Sequence, residues 1–437
     1  MAVKQVSFIV IILIASGIFT FTISRLVGFF KLTKPAYRIT DISRRIKILL
    51  SVAFGQTKIL RRPVVGIMHA LVYWGFMVIT VGTVEMIIDG VLDTERVLSD
   101  TGFFYTLITA SGDILAVMII GSCLVFLFRR HFIKVKRFNG IEMTKGSTID
   151  ATIALLMILL LMVSLIGTNV GYLAQNPNGY AGMFPMSTLL VAFVAPKDLD
   201  SLYLFTEVNW WAHVMLVFIF ANALPYSKHF HVFMSMPNVF LTRLEPLTKL
   251  SNMTSVTNEV KAMMNPETAF APQTEGIPGP SRFGVKDAED VTWKNYLDSL
   301  TCTECGRCTS VCPANITGKK LSPRKIFVDL RKRMSEKGPG LIKEGIGFSD
   351  SKSLLGDYIS AEELWACTTC NACAMECPVN IDHPSLIIDM RRYLVLEESA
   401  APADLNNMFA NIENNGAPWP FPQSARLDWA QSIEMKS

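Results

Sequence analysis

The chain has 437 residues, half of them hydrophobic, and only 18% of them are charged. This composition is too apolar for an ordinary soluble protein, and the length accommodates two domains, so a membrane part is expected. The formal net charge of +4 is too modest to indicate a nucleic-acid partner.

Five apolar runs are each long enough to cross a hydrocarbon core of about 30 Å. They cover residues 6–24, 64–88, 103–128, 150–173 and 207–226. We therefore predict a mainly α protein with five transmembrane helices in a membrane domain over residues 1–236. The first run is predicted to be retained, because no small-residue cleavage site follows it.

The connections between these runs differ in charge. Residues 31–62 hold nine Lys or Arg and residues 129–148 hold six, whereas residues 89–102 and 174–206 hold one each. The positive-inside rule places the two basic loops in the cytoplasm, the N-terminus outside, and everything after Tyr226 in the cytoplasm. The predicted location is the inner (cytoplasmic) membrane of a bacterium or an archaeon.

The remainder of the chain divides by composition. Residues 237–295 are predicted to be a linker, because most of this range contains Pro, Thr and Asn without sustained periodicity. Residues 296–398 combine repeated cysteines with helical periodicity and are predicted to be an α-helical ferredoxin domain in the cytoplasm. Residues 399–437 are predicted to be a C-terminal docking tail.

The strongest signal is a repeated cysteine motif. The stretches "CTECGRCTSVCP" and "CTTCNACAMECP" both fit C-x2-C-x2-C-x3-C-P, the two-cluster ferredoxin pattern in which the fourth cysteine ligates the other cluster. We therefore predict two [4Fe-4S] clusters, each with three ligands from one motif and one from the other. Their ligands are Cys302, Cys305, Cys308 and Cys377 for the first cluster, and Cys367, Cys370, Cys373 and Cys312 for the second.

Structural zinc and disulfides are the alternatives for these cysteines. Zinc usually takes four ligands in two pairs rather than two quartets that each close on Cys-Pro, and a cytoplasmic position argues against disulfides. The 54 residues between Cys312 and Cys367 are too many for a compact bacterial ferredoxin hairpin. The ninth cysteine, Cys123, is predicted to be a core residue of the third span.

Two histidines lie at the predicted cytoplasmic edge of the bundle. His69 follows Arg62 by seven residues, which is roughly 10 Å of helical rise, and His231 follows Lys228 near the same edge. An ionisable group in a membrane span is costly and is functional by default. Two neutral imidazoles in an apolar bundle suit the axial ligation of haem b, so we predict an inner haem between His69 and His231. His229 points elsewhere on a helix and is the weaker candidate.

His213 lies in the outer half of the bundle. It precedes His231 by 18 residues, which in an ideal helix make five full turns and roughly 27 Å of rise, so both rings would point the same way. A second haem would need a partner near Ile79, ten residues after His69, and the sequence has no histidine there.

Two carboxylates lie in the outer parts of the spans, Glu85 in the second and Asp113 in the third, level with His213. Each is either a proton carrier for a quinone site or an interface group that is hydrogen-bonded to a neighbour. Both interpretations stay open at this point, and no other catalytic residue is indicated.

The stretches "RPVVGIMHA", "MTKGSTIDATIALL", "WWAHVML" and "PYSKHFHVF" together resemble the cytochrome b subunit of respiratory nitrate reductase, over residues 1 to about 236. The resemblance implies a five-helix cytochrome b bundle, whose fifth helix ligates haem through two histidines that map onto His213 and His231. The inner histidine of the second helix maps onto His69, and the outer one maps onto Ile79. The outer haem is therefore absent, five-coordinate or held by another ligand, or His213 serves quinone.

Fusion of such a bundle to a two-cluster ferredoxin resembles the membrane part of heterodisulfide-reductase-like proteins. These include the membrane complexes of sulfite reduction and the quinone reductases for electron-transferring flavoprotein. In that family a catalytic region with cysteine-rich CCG motifs follows, and the tail "NNMFANIENNGAPWPFPQSARLDWA" is similar to the segment that leads into it. The resemblance implies that the CCG region lies on a separate cytoplasmic iron–sulfur polypeptide. A surface-wrapping extension is the alternative for the tail.

These observations predict an oxidoreductase subunit of a respiratory chain. We expect it to relay electrons between a cytoplasmic partner, the two clusters, one or two haems b and membrane menaquinone or ubiquinone. The partner is the iron–sulfur polypeptide with CCG motifs or electron-transferring flavoprotein. Two alternatives are a subunit of a quinol-driven heterodisulfide or thiol reductase complex, and a membrane ferredoxin for metal-cofactor assembly, which would leave the histidines without a role.

Overall fold

The computed structural model describes residues 3–133, 135–138, 140, 142–265, 282–431 and 433. Over these ranges the secondary structure is helical, and its β content is limited to two isolated bridges, Lys34 with Thr292 and Leu355 with Ile359. The prediction of a mainly α protein is therefore confirmed.

The described residues include five helices that are long and apolar enough to cross a membrane, as predicted. They are α1 (Val3–Lys31), α3 (Pro63–Leu92), α4 (Phe103–His131), α5 (Lys145–Gln175) and α7 (Leu199–Ala223), which a short 3-10 turn extends to Tyr226. Two shorter helices lie between them, α2 (Ile42–Ile48), which continues as a π-helix over Leu49–Phe54, and α6 (Pro185–Val194).

Four of the long helices pack around one apolar core. The sequential neighbours α3, α4, α5 and α7 contact one another, and α1 packs against α3 and α7. Glycines allow the closest approaches, as is usual between membrane helices. A Cβ on Gly75 would lie 2.6 Å from the Ile119 side chain, and one on Gly171 would lie 2.2 Å from Thr206.

The part of the chain that follows the long helices consists mainly of shorter helices around a second core. They are α8 (His231–Phe240), α9 (Thr254–Met264), α10 (Trp293–Thr301), α11 (Arg307–Ser310), α12 (Pro313–Ile316), α13 (Pro323–Glu344), α14 (Ala361–Trp365), α15 (Ala372–Glu376), α16 (His383–Leu396), α17 (Ala403–Asn415) and α18 (Asp428–Gln431). Helical periodicity predicts α13, α14 and α16 correctly.

The two parts share a packed boundary. Leu26 and Phe29, near the C-terminal end of α1, belong to the same buried cluster as Tyr296 of α10, and the Phe30 and Tyr296 rings lie 4.8 Å apart. Val285 at the end of the predicted linker is buried in that cluster too. The central part of the predicted linker, residues 266–281, lies outside the described residues.

Candidate functional site: cysteine quartets, buried histidines and an outer cavity

The first cysteine quartet forms where the two motifs meet. Cys302 ends α10, Cys308 lies in α11, and Cys377 follows α15 from the second motif. Burial raises the pKa of the Cys377 thiol to about 12, and the neighbouring Cys305 and Cys302 thiolates act in the same direction. Cys377 therefore lies with the cysteines of the first motif.

The second quartet mirrors the first. Burial raises the pKa of the Cys373 thiol, and the nearby Cys367, Cys312 and Cys370 thiolates raise it further. Cys312 of the first motif thus lies with the cysteines of the second. Cys370 is exposed, unlike Cys373 and Cys312, which are buried.

The internal repeat extends to the backbone. Glu304 and Thr369 precede the second cysteine of their motifs with φ values of 58° and 54°, and Gly306 and Asn371 follow it with 70° and 61°. Left-handed residues turn successive backbone amides toward one side, which favours an anionic group there. Eight soft thiols in two such loops fit two cubane clusters. Within the described ranges, no three His, Cys, Asp or Glu side chains converge closely enough to hold a single metal ion.

The first quartet lies directly against the loop that precedes α3. Lys58 donates to the Cys377 carbonyl at 3.1 Å, and Arg307 donates to the carbonyls of Lys58 and Ile59 at 2.9 and 3.3 Å. Next to these contacts, Arg62 pairs with Glu376 at 2.9 Å. This quartet is thus seated on the loop from which His69 follows.

The chain changes direction before His231. The helix α7 ends at Ala223, and two 3-10 turns around Ser227 lead into α8, which begins at His231. The expectation of one ideal helix from His213 to His231 is therefore wrong, because Pro225 in the first of these turns has no amide hydrogen to continue the α-helix.

The inner histidines lie near each other. Burial lowers the pKa of His231 to about 3, and the His229 and His69 rings lower it as well, so His231 is neutral. Its Nδ1 faces the Lys228 carbonyl at 3.4 Å. The Nδ1 atom of His69 and, one turn later, the hydroxyl of Tyr73 are buried and find no hydrogen-bond partner among the described residues. Buried polar atoms of this kind fit a site that a bound group completes.

The His213 ring is hydrogen-bonded through one of its two nitrogens. The residue is 1% exposed, and its Nδ1 bonds the Leu161 carbonyl at 3.0 Å and the Ser164 hydroxyl at 3.3 Å. Its Nε2 is buried without a partner in the described part of the chain. A hydrogen bond at one ring nitrogen fixes the tautomer that leaves the other free for a metal. Ile79 instead packs in the apolar core with Leu161.

A cavity of about 300 Å³ opens in the outer half of the bundle, between α3, α4 and α5. Its polar wall includes Glu85, Arg96 and Asn169, and its apolar wall includes Ile79 and Leu165. The buried Glu85 carboxylate accepts hydrogen bonds from the Leu98 amide at 3.0 Å and the Tyr105 hydroxyl at 3.3 Å.

Arg96 contributes a positive charge to the wall of this cavity. It donates to the Asn169 side chain at 3.2 Å, and its guanidinium stacks 4.4 Å from the centre of the Tyr172 ring. Sequence reasoning missed Arg96 and Asn169, because Arg96 stands out only as the single basic residue of an acidic outer loop.

Asp113 is hydrogen-bonded to several neighbours. Its carboxylate accepts hydrogen bonds from the amides of Met186 and Ser187 at 2.7 and 2.9 Å, and from the Ser187 hydroxyl. Asp113 thus caps the N-terminus of α6, where a negative charge is stabilising. It also lines the cavity and accepts a hydrogen bond from the Asn169 amide at 3.4 Å, so both interpretations of this carboxylate stay open.

The fold and the cysteine sites together define a membrane protein with an iron–sulfur dicluster domain. Residues 301–381 match the 4Fe-4S dicluster domain family. No solved structure matches the chain.

Two curated relatives match almost the whole chain, whereas the family match covers only the dicluster domain. The chain is 28% identical over 97% of its length to the probable iron-sulfur-binding oxidoreductase FadF of Bacillus subtilis, covering 60% of that protein. It is 28% identical over 96% of its length to the EtfAB:quinone oxidoreductase of Syntrophomonas wolfei, covering 58% of that protein. It thus spans about three fifths of these curated relatives.

A third relative matches a shorter part of the chain. It is one of the subunits of the ferredoxin/F(420)H(2)-dependent CoB-CoM heterodisulfide reductase of Methanosarcina acetivorans, and it is 35% identical over 24% of this chain and 52% of its own length. The similarity to heterodisulfide-reductase-like iron–sulfur proteins is therefore confirmed, as is the predicted class of an iron–sulfur oxidoreductase subunit in electron transport.

Proposed function

We propose that the chain relays electrons between a cytoplasmic redox partner and a membrane quinone. The observation that carries this proposal is the seating of the first cysteine quartet on the loop that leads to His69, through Lys58 and Arg307. It supports a series of ligand sets that runs from the cytoplasmic surface into the bundle. When bound, two [4Fe-4S] clusters and haem b would supply the one-electron chemistry.

In this proposal the two cysteine quartets face different parts of the electron path. Cys370 of the second quartet is exposed, whereas Cys302, Cys308 and Cys377 of the first are buried beside the membrane loop. The second quartet is therefore proposed as the side that faces the cytoplasmic partner, and the first as the side that faces the membrane domain.

His69 and His231 are proposed to hold an inner haem b. Three observations support them as ligands: the His231 imidazole is neutral, its Nδ1 is engaged by the Lys228 carbonyl, and polar atoms on the same face of α3 lack partners in the described residues. His229 is less suited, because the groups that act on its ring are Lys228, Arg130 and Glu304, whereas His69 acts on the ring of His231.

His213 is proposed to hold a second haem b as its single protein ligand. Its free, buried Nε2 supports ligation, and Ile79 offers no sixth ligand. The cavity residues Ile79 and Glu85 follow His69 by 10 and 16 residues, which is about 15–24 Å of helical rise. A carrier between the inner site and the cavity is therefore needed if the cavity binds the quinone.

The outer cavity is proposed to bind menaquinone or ubiquinone. Arg96 and the Asn169 amide can donate hydrogen bonds to a ring carbonyl, while Ile79 and Leu165 contact the apolar part of the ligand. Reduction of a quinone to a quinol takes two electrons and two protons. Glu85 and Tyr105, already hydrogen-bonded to each other, are proposed to hand protons to the carbonyl oxygens.

The cytoplasmic partner is proposed to be an iron–sulfur subunit with CCG motifs or electron-transferring flavoprotein. The names of the relatives support both, one being an EtfAB:quinone oxidoreductase and another a part of a heterodisulfide reductase. Among the described residues, the helix α17 and the segment after it contain no buried residue and expose Trp419, Phe421 and Leu427, which supports the tail as the docking surface.

The heterodisulfide reductase relative favours one second candidate, a thiol or disulfide reductase complex driven by quinol. The test uses membranes that contain the chain and its partner, with reduced flavoprotein or a disulfide as alternative substrates. Reduction of b-type absorption by flavoprotein supports the quinone reductase. Oxidation of that absorption by disulfide, with no response to flavoprotein, supports the thiol complex, and the lack of any b-type absorption overturns both.

The number of haems has its own test. We expect two haems per wild-type chain by pyridine haemochrome assay and one in His213→Ala. One haem in both proteins would remove His213 from the proposed series.

A further inference from the structure

Glu304 occupies an unusual place in the first cysteine loop. It lies between Cys302 and Cys305 in the left-handed region, with φ of 58°, and only 8% of it is exposed. Its carboxylate accepts hydrogen bonds from Arg331 at 2.5 Å, from Lys228 at 3.4 Å and from the Ser147 hydroxyl.

Lys228 approaches Glu304 from the membrane domain. Its ammonium donates to the Ser147 carbonyl at 2.5 Å and the Ser147 hydroxyl at 2.7 Å, and only 6% of the residue is exposed. Its backbone carbonyl faces His231 Nδ1 at 3.4 Å. Lys228 is thus joined to a cluster loop by its side chain and to an inner histidine by its main chain.

Arg331 completes the connection on the cluster side. Besides Glu304, it donates to the carbonyl of Cys302 at 2.8 Å. Hydrogen bonds therefore connect the Cys302 carbonyl through Arg331 and Glu304 to the Lys228 ammonium, and the main-chain carbonyl of Lys228 faces His231.

We infer that Glu304 and Lys228 are a positioning pair, which fixes the first cluster loop against the inner histidine and sets the reduction potentials on both sides. The inference rests on the proposed function, because it requires a cluster at Cys302 and a haem at His231. The pair touches neither redox group and acts through the residues that hold them.

Two physical arguments support this assignment. Buried charges interact more strongly than exposed ones because the surroundings screen them less, so a negative Glu304 beside the first cluster disfavours its reduction and a positive Lys228 favours it. The hydrogen-bond partner of a ligating histidine also controls the orientation and basicity of its ring. Movement of Lys228 would therefore change the electronic environment of a metal bound to His231.

The experiment is a redox titration of the purified full-length chain, followed by electron paramagnetic resonance for the clusters and by absorption for haem. In Glu304→Gln we expect the one-electron reduction equilibrium of the first cluster to shift about tenfold toward the reduced form, which is about 59 mV. The low-spin haem signal from the His231 site should shift too. Lys228→Gln should move the cluster potential in the opposite direction.

Glu362→Gln is the matched control, because Glu362 pairs with Lys320 on the exposed surface of the same part of the chain, and it should leave both signals unchanged. Glu304→Asp retains the charge and should retain the cluster potential. If the Glu304→Gln variant does not assemble its cofactors, Lys228→Gln tests the same pair. In that variant the potential of the first cluster should shift in the opposite direction.

Failure of the proposed function and failure of the positioning pair give different results. A wild-type chain without b-type absorption contradicts the proposed function. A wild-type chain with both cofactors, whose potentials and haem signal are unmoved by either glutamine variant, overturns only the positioning pair.

Discussion

Lys58 donates a hydrogen bond to the main-chain carbonyl of Cys377 at 3.1 Å, which joins the loop before a membrane helix to a residue of the second cysteine motif. Cys377 lies with the cysteines of the first motif. The place where the two motifs meet is therefore also a place where the cysteine-containing part contacts the membrane loop.

The crossed quartets predict which cysteine variants behave alike. Cys377→Ala should lose the same cluster as Cys302→Ala, and Cys312→Ala the same cluster as Cys367→Ala, although the members of each pair lie in different motifs. Iron content and electron paramagnetic resonance of the purified variants measure this. Cys123→Ala, which alters a buried membrane residue, should retain both clusters, and pairing of the losses within each motif would contradict the crossing.

The stability of the boundary between the two parts of the chain should depend on Arg324. This residue is 1% exposed, pairs with Glu142 at 2.6 Å and donates to the Arg137 carbonyl at 2.7 Å. Arg324→Met leaves Glu142 buried without its cation, and loss of one partner of a buried pair costs about 3–5 kcal/mol. We expect a clearly lower thermal midpoint, whereas Lys320→Met, at an exposed pair, should change it little.

Arg96 and Glu85 should affect quinone turnover in separable ways. Arg96→Met removes a hydrogen-bond donor to the ring carbonyl and should raise KM for a soluble quinone analogue about tenfold, in line with the loss of a charged hydrogen bond. Glu85→Gln keeps the shape of the side chain but carries no acidic proton, so it should lower kcat more than it raises KM.

One control limits this interpretation. Glu95→Gln alters an exposed residue of the same outer loop and should be neutral. Equal kinetic effects of Glu95→Gln and Arg96→Met would argue against a quinone in the cavity.

His383 makes stability depend on pH. Burial against Phe327 lowers its pKa to about 4, below the usual 6.5, so the folded chain binds fewer protons than the unfolded chain between these values. Stability is fully present above about pH 6.5 and is lost as the pH falls toward 4, by up to about 3 kcal/mol. In His383→Phe the slope of the thermal midpoint between pH 6.5 and 4.5 should be shallower, and an unchanged slope would contradict this origin.

The sequence predicts the regular features well because their signals are local. Apolar length predicts the five long helices, and the spacing of the eight cysteines predicts the 4Fe-4S dicluster domain that residues 301–381 match. The crossed assignment of the cysteines to two clusters is a prediction from the motif itself.

Features that depend on tertiary contacts are harder to predict from the sequence. Nothing near α6 in the sequence indicates that Asp113, more than 70 residues earlier, provides its cap. The turn at Pro225 breaks the ideal 18-residue register between His213 and His231, and only the packing against Leu161 reveals that the His213 ring is held with one nitrogen free. Glu304 is hidden for the same reason, since its partners Lys228 and Arg331 come from separate regions of the chain.

The most direct test of the central claim is the haem content and the reduced-minus-oxidised spectrum of the purified chain, compared among wild type, His69→Ala, His231→Ala and His229→Ala. The electron-relay account predicts b-type absorption in wild type and His229→Ala, and the same loss of the inner haem in His69→Ala and His231→Ala with both clusters retained. Full haem content and undiminished quinone reduction in either of the latter two variants would contradict it.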